Sequence, residues 1–114
     1  MIAVIFEFTP REGRVSEYLE LAAALKPELE RADGFISIGR YESITAPGRF
    51  VSISFWRDEQ AVRAWRNLQQ HREAQARGRG GIFAGYRLRV ASVLRDYGHA
   101  ERGEAPGDSV AAHG

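Results

Sequence analysis

Along Met1–Phe8 apolar, β-branched and aromatic side chains follow one another, with Glu7 the one interruption. A run this short and this apolar predicts a strand buried on both faces. Thr9–Gly13 (TPREG) is turn chemistry. From Val15 the period changes to threes and fours. Val15, Tyr18, Leu19, Ala22, Leu25 and Leu29 make the apolar stripe of a first helix, with Glu17, Glu20, Lys26 and Glu30 largely on the other side. Pro27 inside this stripe predicts a kink or a brief break. Asp33-Gly34 predicts the stop, with Gly34 as a left-handed cap. Phe35–Ser43 reads as a second strand, Ile36 and Ile38 on one face, Phe35 and Tyr41 on the other. The turn Thr45–Gly48 (TAPG) makes a hairpin with a third strand, Arg49–Arg57, where Val51, Ile53 and Phe55 alternate with Phe50, Ser52, Ser54 and Trp56. Asp58 suits the N-cap of a second helix. Its stripe is Ala61, Val62, Trp65 and Leu68, and it runs past His71 and Gln75 to the cluster Gly78–Gly81. Ile82 and Phe83 lead into a last strand, roughly Tyr86–Arg95, where Tyr86, Leu88, Val90 and Leu94 alternate with Arg87, Arg89 and Arg95.

The predicted order is β-α-β-β-α-β, an α+β ferredoxin-like domain with a four-stranded antiparallel sheet and both helices on one face, spanning residues 1–98. Residues 99–114 lose all periodicity and read as a polar tail, mobile or laid over a partner. The first strand is apolar on both sides and the third nearly so, yet two helices cover one face. A second copy packed sheet to sheet, closing a dimeric α+β barrel, is the simplest cover for the other.

Composition narrows the chemistry. A length of 114 residues fits one domain, and a net charge of +1 argues against nucleic-acid binding and against attraction to an acidic membrane. No apolar run approaches the length of a membrane span. The chain has no cysteine, which removes disulfides, thiolate metal sites and a thiol nucleophile, and makes the cytoplasm the expected compartment. His71, His99 and His113 are too scattered for a metal-ligand spacing. Gly78-Arg79-Gly80-Gly81 follows a helix instead of opening one, so it is a helix stop and not a phosphate loop.

Three segments carry a resemblance. Asp33–Ser43, Phe50–Ala64, and the run from Trp65 through His71, Gln75 and Arg79 to Tyr86–Ala91 and Arg95–Gly98 are similar to the antibiotic biosynthesis monooxygenase (ABM) family. The spacing of Trp65, His71 and Gln75 before the last strand is its most distinctive part. The resemblance covers about residues 1–98. It implies a homodimer joined through its sheet faces and a small-molecule oxidoreductase, a monooxygenase-like enzyme without bound cofactor or metal, acting on an aromatic or quinone-like compound. A non-catalytic ligand-binding or stress-related dimer is the alternative. A haem-binding or haem-degrading protein is a third reading.

Family members place an aromatic in the substrate cleft at the position of Trp65, although its place in the stripe also suits a core residue. His71 lies six residues on, about 240° around the helix from Trp65. As the one histidine inside the domain it is the candidate general base. Asn67, Arg40 and Tyr41, with Phe55 and Tyr86, are the further candidates for substrate contact. Arg40, Arg49, Arg87 and Arg89 make the strands rich in arginine, suited to sheet edges and dimer salt bridges, or to an anionic oxygen where one faces the cavity. The haem-degrading relatives use an Asn on the first strand and a His about ten residues after the Trp. Here those positions hold Glu7 and Gln75, and Gln is a poor iron ligand beside imidazole.

Overall fold

The computed structural model describes residues 1–77 and 81–108, with the side chains of the second helix described as far as Leu68. The elements are β1 (Ile2–Pro10), α1 (Val15–Glu30), β2 (Phe35–Glu42), β3 (Phe50–Trp56), α2 (Glu59–Arg77) and β4 (Phe83–Ser92). The four strands form one antiparallel sheet in the order β2-β3-β1-β4. This is the expected ferredoxin-like α+β fold.

Cross-strand pairing sorts the side chains into rows. On the helix side the rows are Ile38–Ser54–Val4–Val90, Arg40–Ser52–Phe6–Leu88 and Glu42–Phe50–Phe8–Tyr86. Two apolar clusters fill the space under the helices. One joins Leu29, Trp56, Ala61 and Val62, with Ile2, Val4, Phe35, Ile38 and Trp65 against them. The other joins Phe8, Tyr18 and Ile82, with Phe6, Ala22, Phe50 and Phe83. The opposite face carries Ala3, Ile5 and Glu7 of β1, Val51, Ile53 and Phe55 of β3, and Arg87, Arg89 and Ala91 of β4. Neither α1 nor α2 lies on it.

Four local expectations are corrected. Of the kink or brief break expected at Pro27, the break does not form: α1 runs as one helix to Glu30, without the one backbone bond that the proline nitrogen cannot donate. Gly34 does take a left-handed φ of 85°, but within the turn in which the Phe35 amide donates to the Ala32 carbonyl (3.1 Å), since Arg31 caps the helix in a right-handed conformation. A Cβ on Gly34 would also stand 2.6 Å from that of Ala61, so α2 packs on this glycine. In β2, Phe35 and Ile38 share the helix side, because the pairing slips between Phe35 and Ser37 and Ile36 is the extra residue of a bulge. β1 and β4 run together from Pro10↔Phe83 to Ile2↔Ser92, so β4 starts earlier and stops sooner than the alternation suggested. Leu94 and Arg95 continue the pattern, but β1 has no residue left to pair with them.

Asp58 caps α2 as expected, its Oδ1 accepting the Ala61 amide at 2.9 Å. The hairpin turn is held by the Gly48 amide donating to Glu42 Oε2 (2.9 Å). Beyond β4 the chain folds on itself, the Asp96 amide donating to Glu104 Oε1 (3.1 Å) and the Arg102 guanidinium lying over the Tyr97 ring. No helix among the described residues is long and apolar enough to cross a membrane.

Candidate functional site

Trp65 is held half-buried on the inner face of α2, its ring centroid 6.3 Å from that of Trp56. Trp56 is 1% exposed, and its indole N–H donates to the hydroxyl of Ser54 at 2.9 Å. Trp65 therefore touches the core. It also lines a hollow of about 260 Å³ walled by Ala32, Ala61, Ala64 and Leu68, with Gln60, Asp33 and Arg57 supplying its polar groups. The structural and the ligand-facing roles of this tryptophan are compatible.

The polar wall is tied together by charge. Arg57, at the exit of β3, donates from Nη1 and Nη2 to both oxygens of Asp33 (3.1 Å each) and from Nε to Asp58 Oδ2 (3.0 Å). The three residues join the α1–β2 turn to the start of α2. The Arg57 hydrogen bond and charge hold the Asp33 carboxyl below its ordinary value. The Ala61 amide and Arg57 do the same for Asp58, and both carboxylates raise Arg57. A depressed folded-state carboxyl contributes stability above its unfolded value and loses it as the pH falls through the folded value. The Tm difference between the native chain and Arg57→Gln is thus expected to be constant from pH 7 to pH 5 and to shrink below the usual carboxylate range. A thermal-melt series from pH 7 to pH 2.5 checks it, and a difference that grows on acidification contradicts it. All three groups are solvent-exposed, so the effect is small.

The second helix-side feature lies toward the other end of the sheet. Tyr18, 7% exposed, packs on Phe8 (4.6 Å between centroids), Phe83 (6.0 Å) and Phe50 (6.4 Å). Its hydroxyl accepts a hydrogen bond from Arg40 Nε at 3.1 Å. Arg40 reaches it from β2, in the row where β3 contributes the small Ser52. Beyond Phe6 the helix side of β4 is left open, with Tyr86, Leu88 and Val90 exposed at 70, 48 and 42%. The Tyr86 ring still lies 5.6 Å from that of Phe6.

The structure thus puts Trp65, Arg40 and Tyr86 on the helix side. Tyr41 and Phe55 are on the opposite face of the sheet, Tyr41 with its ring over Gly39 and Phe55 half-buried. Within one chain the two groups cannot line one cavity. Asn67 is exposed on α2. His71 and Gln75 belong to α2, but their side chains lie outside the described residues. Glu7 also points to the open face, where its carboxylate pairs with Arg89 at 3.2 Å. The strand-one position of the haem-degrading pattern therefore does not share the recess of Trp65. Among the described residues no group of three His, Asp or Glu side chains is placed to hold a metal ion. Asp33, Arg57 and Tyr18 were not legible as site residues. Asp33 and Arg57 are 24 positions apart, and Tyr18 reads as one more member of an apolar stripe.

Residues 1–77 match the family described as antibiotic biosynthesis monooxygenase. The chain belongs to this family. It is 46% identical over 93 residues to the jasmonate monooxygenase ABM of the fungus Pyricularia oryzae. That alignment covers 82% of this chain and 43% of the fungal protein, so the chain spans less than half of that relative's length. Among solved structures it resembles SnoaB, a cofactor-independent oxygenase from Streptomyces nogalater (TM-score 0.67, 14% identity, 83% of this chain and 94% of that one). It resembles equally the heme-degrader MhuD from Mycobacterium tuberculosis (TM-score 0.67, 18% identity, 86% of this chain and all of that one). At such identities the two structures establish the ABM fold and leave the chemistry to the residues.

Proposed function

We propose that this ABM chain is a monooxygenase-type oxidoreductase that works as a homodimer on a small, largely apolar compound bound on the helix side beside Trp65. The observation that carries the reading is the 46% identity to a jasmonate monooxygenase, extending across the strands and helices that build the Trp65 hollow. Trp65 and Leu68 beside three alanines, with the Asp33–Arg57 pair and Gln60 at the polar edge, suit a small aromatic, quinone-like or alicyclic ketone substrate. In a cofactor-independent oxygenation the substrate is deprotonated, and its own carbanion reduces dioxygen. The protein then has to bind, remove a proton and exclude water. Trp65 supplies the binding surface, and His71, whose imidazole can take up a proton, is the proposed base.

The homodimer uses the open sheet face. Ile5, Val51, Ile53 and Phe55 are half-buried there, on the face away from both described helices, and Tyr41 and Ile36 are 58 and 50% exposed. An apolar surface of this kind favours a self-complementary partner.

Oxygen consumption tests the reaction, with anthrone-type phenols and jasmonic acid as substrates. Trp65→Ala is expected to lower kcat/KM about tenfold, equivalent to about 1.4 kcal/mol of lost aromatic contact, with Trp65→Phe retaining most activity. His71→Ala is expected to lower kcat and remove the acid limb of its pH profile. Equal rates for the native chain and both alanine variants would sink the assignment, as would binding without oxygen uptake.

A further inference from the structure

We propose that Arg40 is a substrate-specificity residue positioned by Tyr18, and that the substrate class of this site is an organic acid, a compound bearing a carboxylate or an equally acidic enolate oxygen. This rests on the helix-side recess being the ligand site and adds to it the ligand's polar end.

The argument starts from the sheet. Arg40 is on the helix side, in one row with Ser52, Phe6 and Leu88, between the two apolar clusters. Its Nε–H donates to the Tyr18 hydroxyl at 3.1 Å. The phenol ring is fixed among Phe8, Phe50 and Phe83 and is itself buried, so it anchors the root of the guanidinium. The two terminal nitrogens carry the planar donor fork that matches two oxygens of one acid. Among the described residues no carboxylate forms a salt bridge with Arg40. Arg14, Arg57 and Arg89, by contrast, pair with Glu17, Asp33 and Glu7. Arg40 is also exposed, so a ligand reaches it without any rearrangement of the fold. Ser52, half-buried beside it on β3, adds a hydroxyl that donates to a further oxygen.

The test separates this inference from the reaction itself by measuring binding without turnover. Under anaerobic conditions, tryptophan fluorescence and calorimetry give Kd for jasmonic acid and methyl jasmonate, and for 1-naphthoic acid and its methyl ester. Each ester keeps the shape and removes the charge. The native chain is expected to bind each acid at least about tenfold tighter than its ester. Arg40→Met should bring the ratio to about one by weakening the acids alone, and Arg40→Lys should restore part of it, having charge without the fork. Tyr18→Phe should lower the ratio while the esters bind as before, an outcome that a merely structural role for this hydroxyl does not give. Arg95→Met, removing an exposed charge elsewhere, should leave the ratio unchanged. An unchanged preference in Arg40→Met, no preference in the native chain, or no binding of either acid overturns the proposal. Acids that bind with this selectivity but are not oxidised leave it standing and remove the monooxygenase reading. Equal turnover of acid and ester does the reverse.

Discussion

Replacing Trp56 by alanine is expected to destabilise the chain by about 3–5 kcal/mol. Trp56 is 1% exposed and lies where four elements meet. Leu29 of α1, Ala61 and Val62 of α2 and Ile2 of β1 all join it in one cluster, and the Phe35 ring of β2 packs edge-on at 5.3 Å. Truncation leaves a cavity that no single neighbour can fill, and it removes the N–H that the buried Ser54 hydroxyl accepts. Small domains hold about 5–15 kcal/mol in all, so most of the stability is at stake. Urea unfolding followed by circular dichroism gives the measurement, the midpoint falling with the slope unchanged. Trp56→Phe, which keeps a ring and loses the hydrogen bond, should cost clearly less. A loss below about 1 kcal/mol in the alanine variant would show that the cluster is not the core it is described to be. Trp65 also loses its packing partner, so any residual activity should fall with the stability.

The second large effect concerns the open sheet face. With Ile53→Glu, each copy of the proposed homodimer brings a carboxylate to the middle of the face formed by Val51, Ile53, Phe55 and Ile5. In a two-fold interface the change enters twice, and an ionised carboxylate without a partner is costly to bury. The dimer dissociation constant is expected to rise at least about a hundredfold, near 2.7 kcal/mol. Sedimentation equilibrium at several concentrations should show a dimer for the native chain and a monomer for the variant. Leu19→Glu, on the exposed side of α1 at 54% exposure, is the control that should remain a dimer. A monomeric native chain, or a variant that still dimerises with native affinity, would mean that the face serves some other purpose. The mutation does not enter the helix-side clusters, so the monomer should keep its fold.

The order of elements, the antiparallel sheet and the Asp58 cap were all readable from the chain, because they follow from local periodicity and from side chains acting within three or four residues. The double apolarity of β1 and β3 was readable for the same reason. Strand ends and faces were not. Leu94 continues an alternating pattern perfectly well, and it is the length of β1, at the other end of the chain, that ends β4 at Ser92. The bulge that turns Phe35 and Ile38 to one side is likewise a property of the β2–β3 pairing.

Trp65 could be singled out from its place in a motif. Whether it faces core or cavity could not, and in the structure it both packs near Trp56 and lines the hollow. Arg40 and Tyr41 are neighbours in sequence and were read alike, yet the pleat sends Arg40 to the helices and Tyr41 to the open face. By itself, then, the sequence determined the fold class and the apolar character of both faces of β1 and β3, since these follow from local alternation. Tertiary structure alone decided which candidates share a side of the sheet. Partners such as Tyr18 with Arg40 and Asp33 with Arg57 are more than twenty residues apart, and only the folded chain brings them within hydrogen-bond distance.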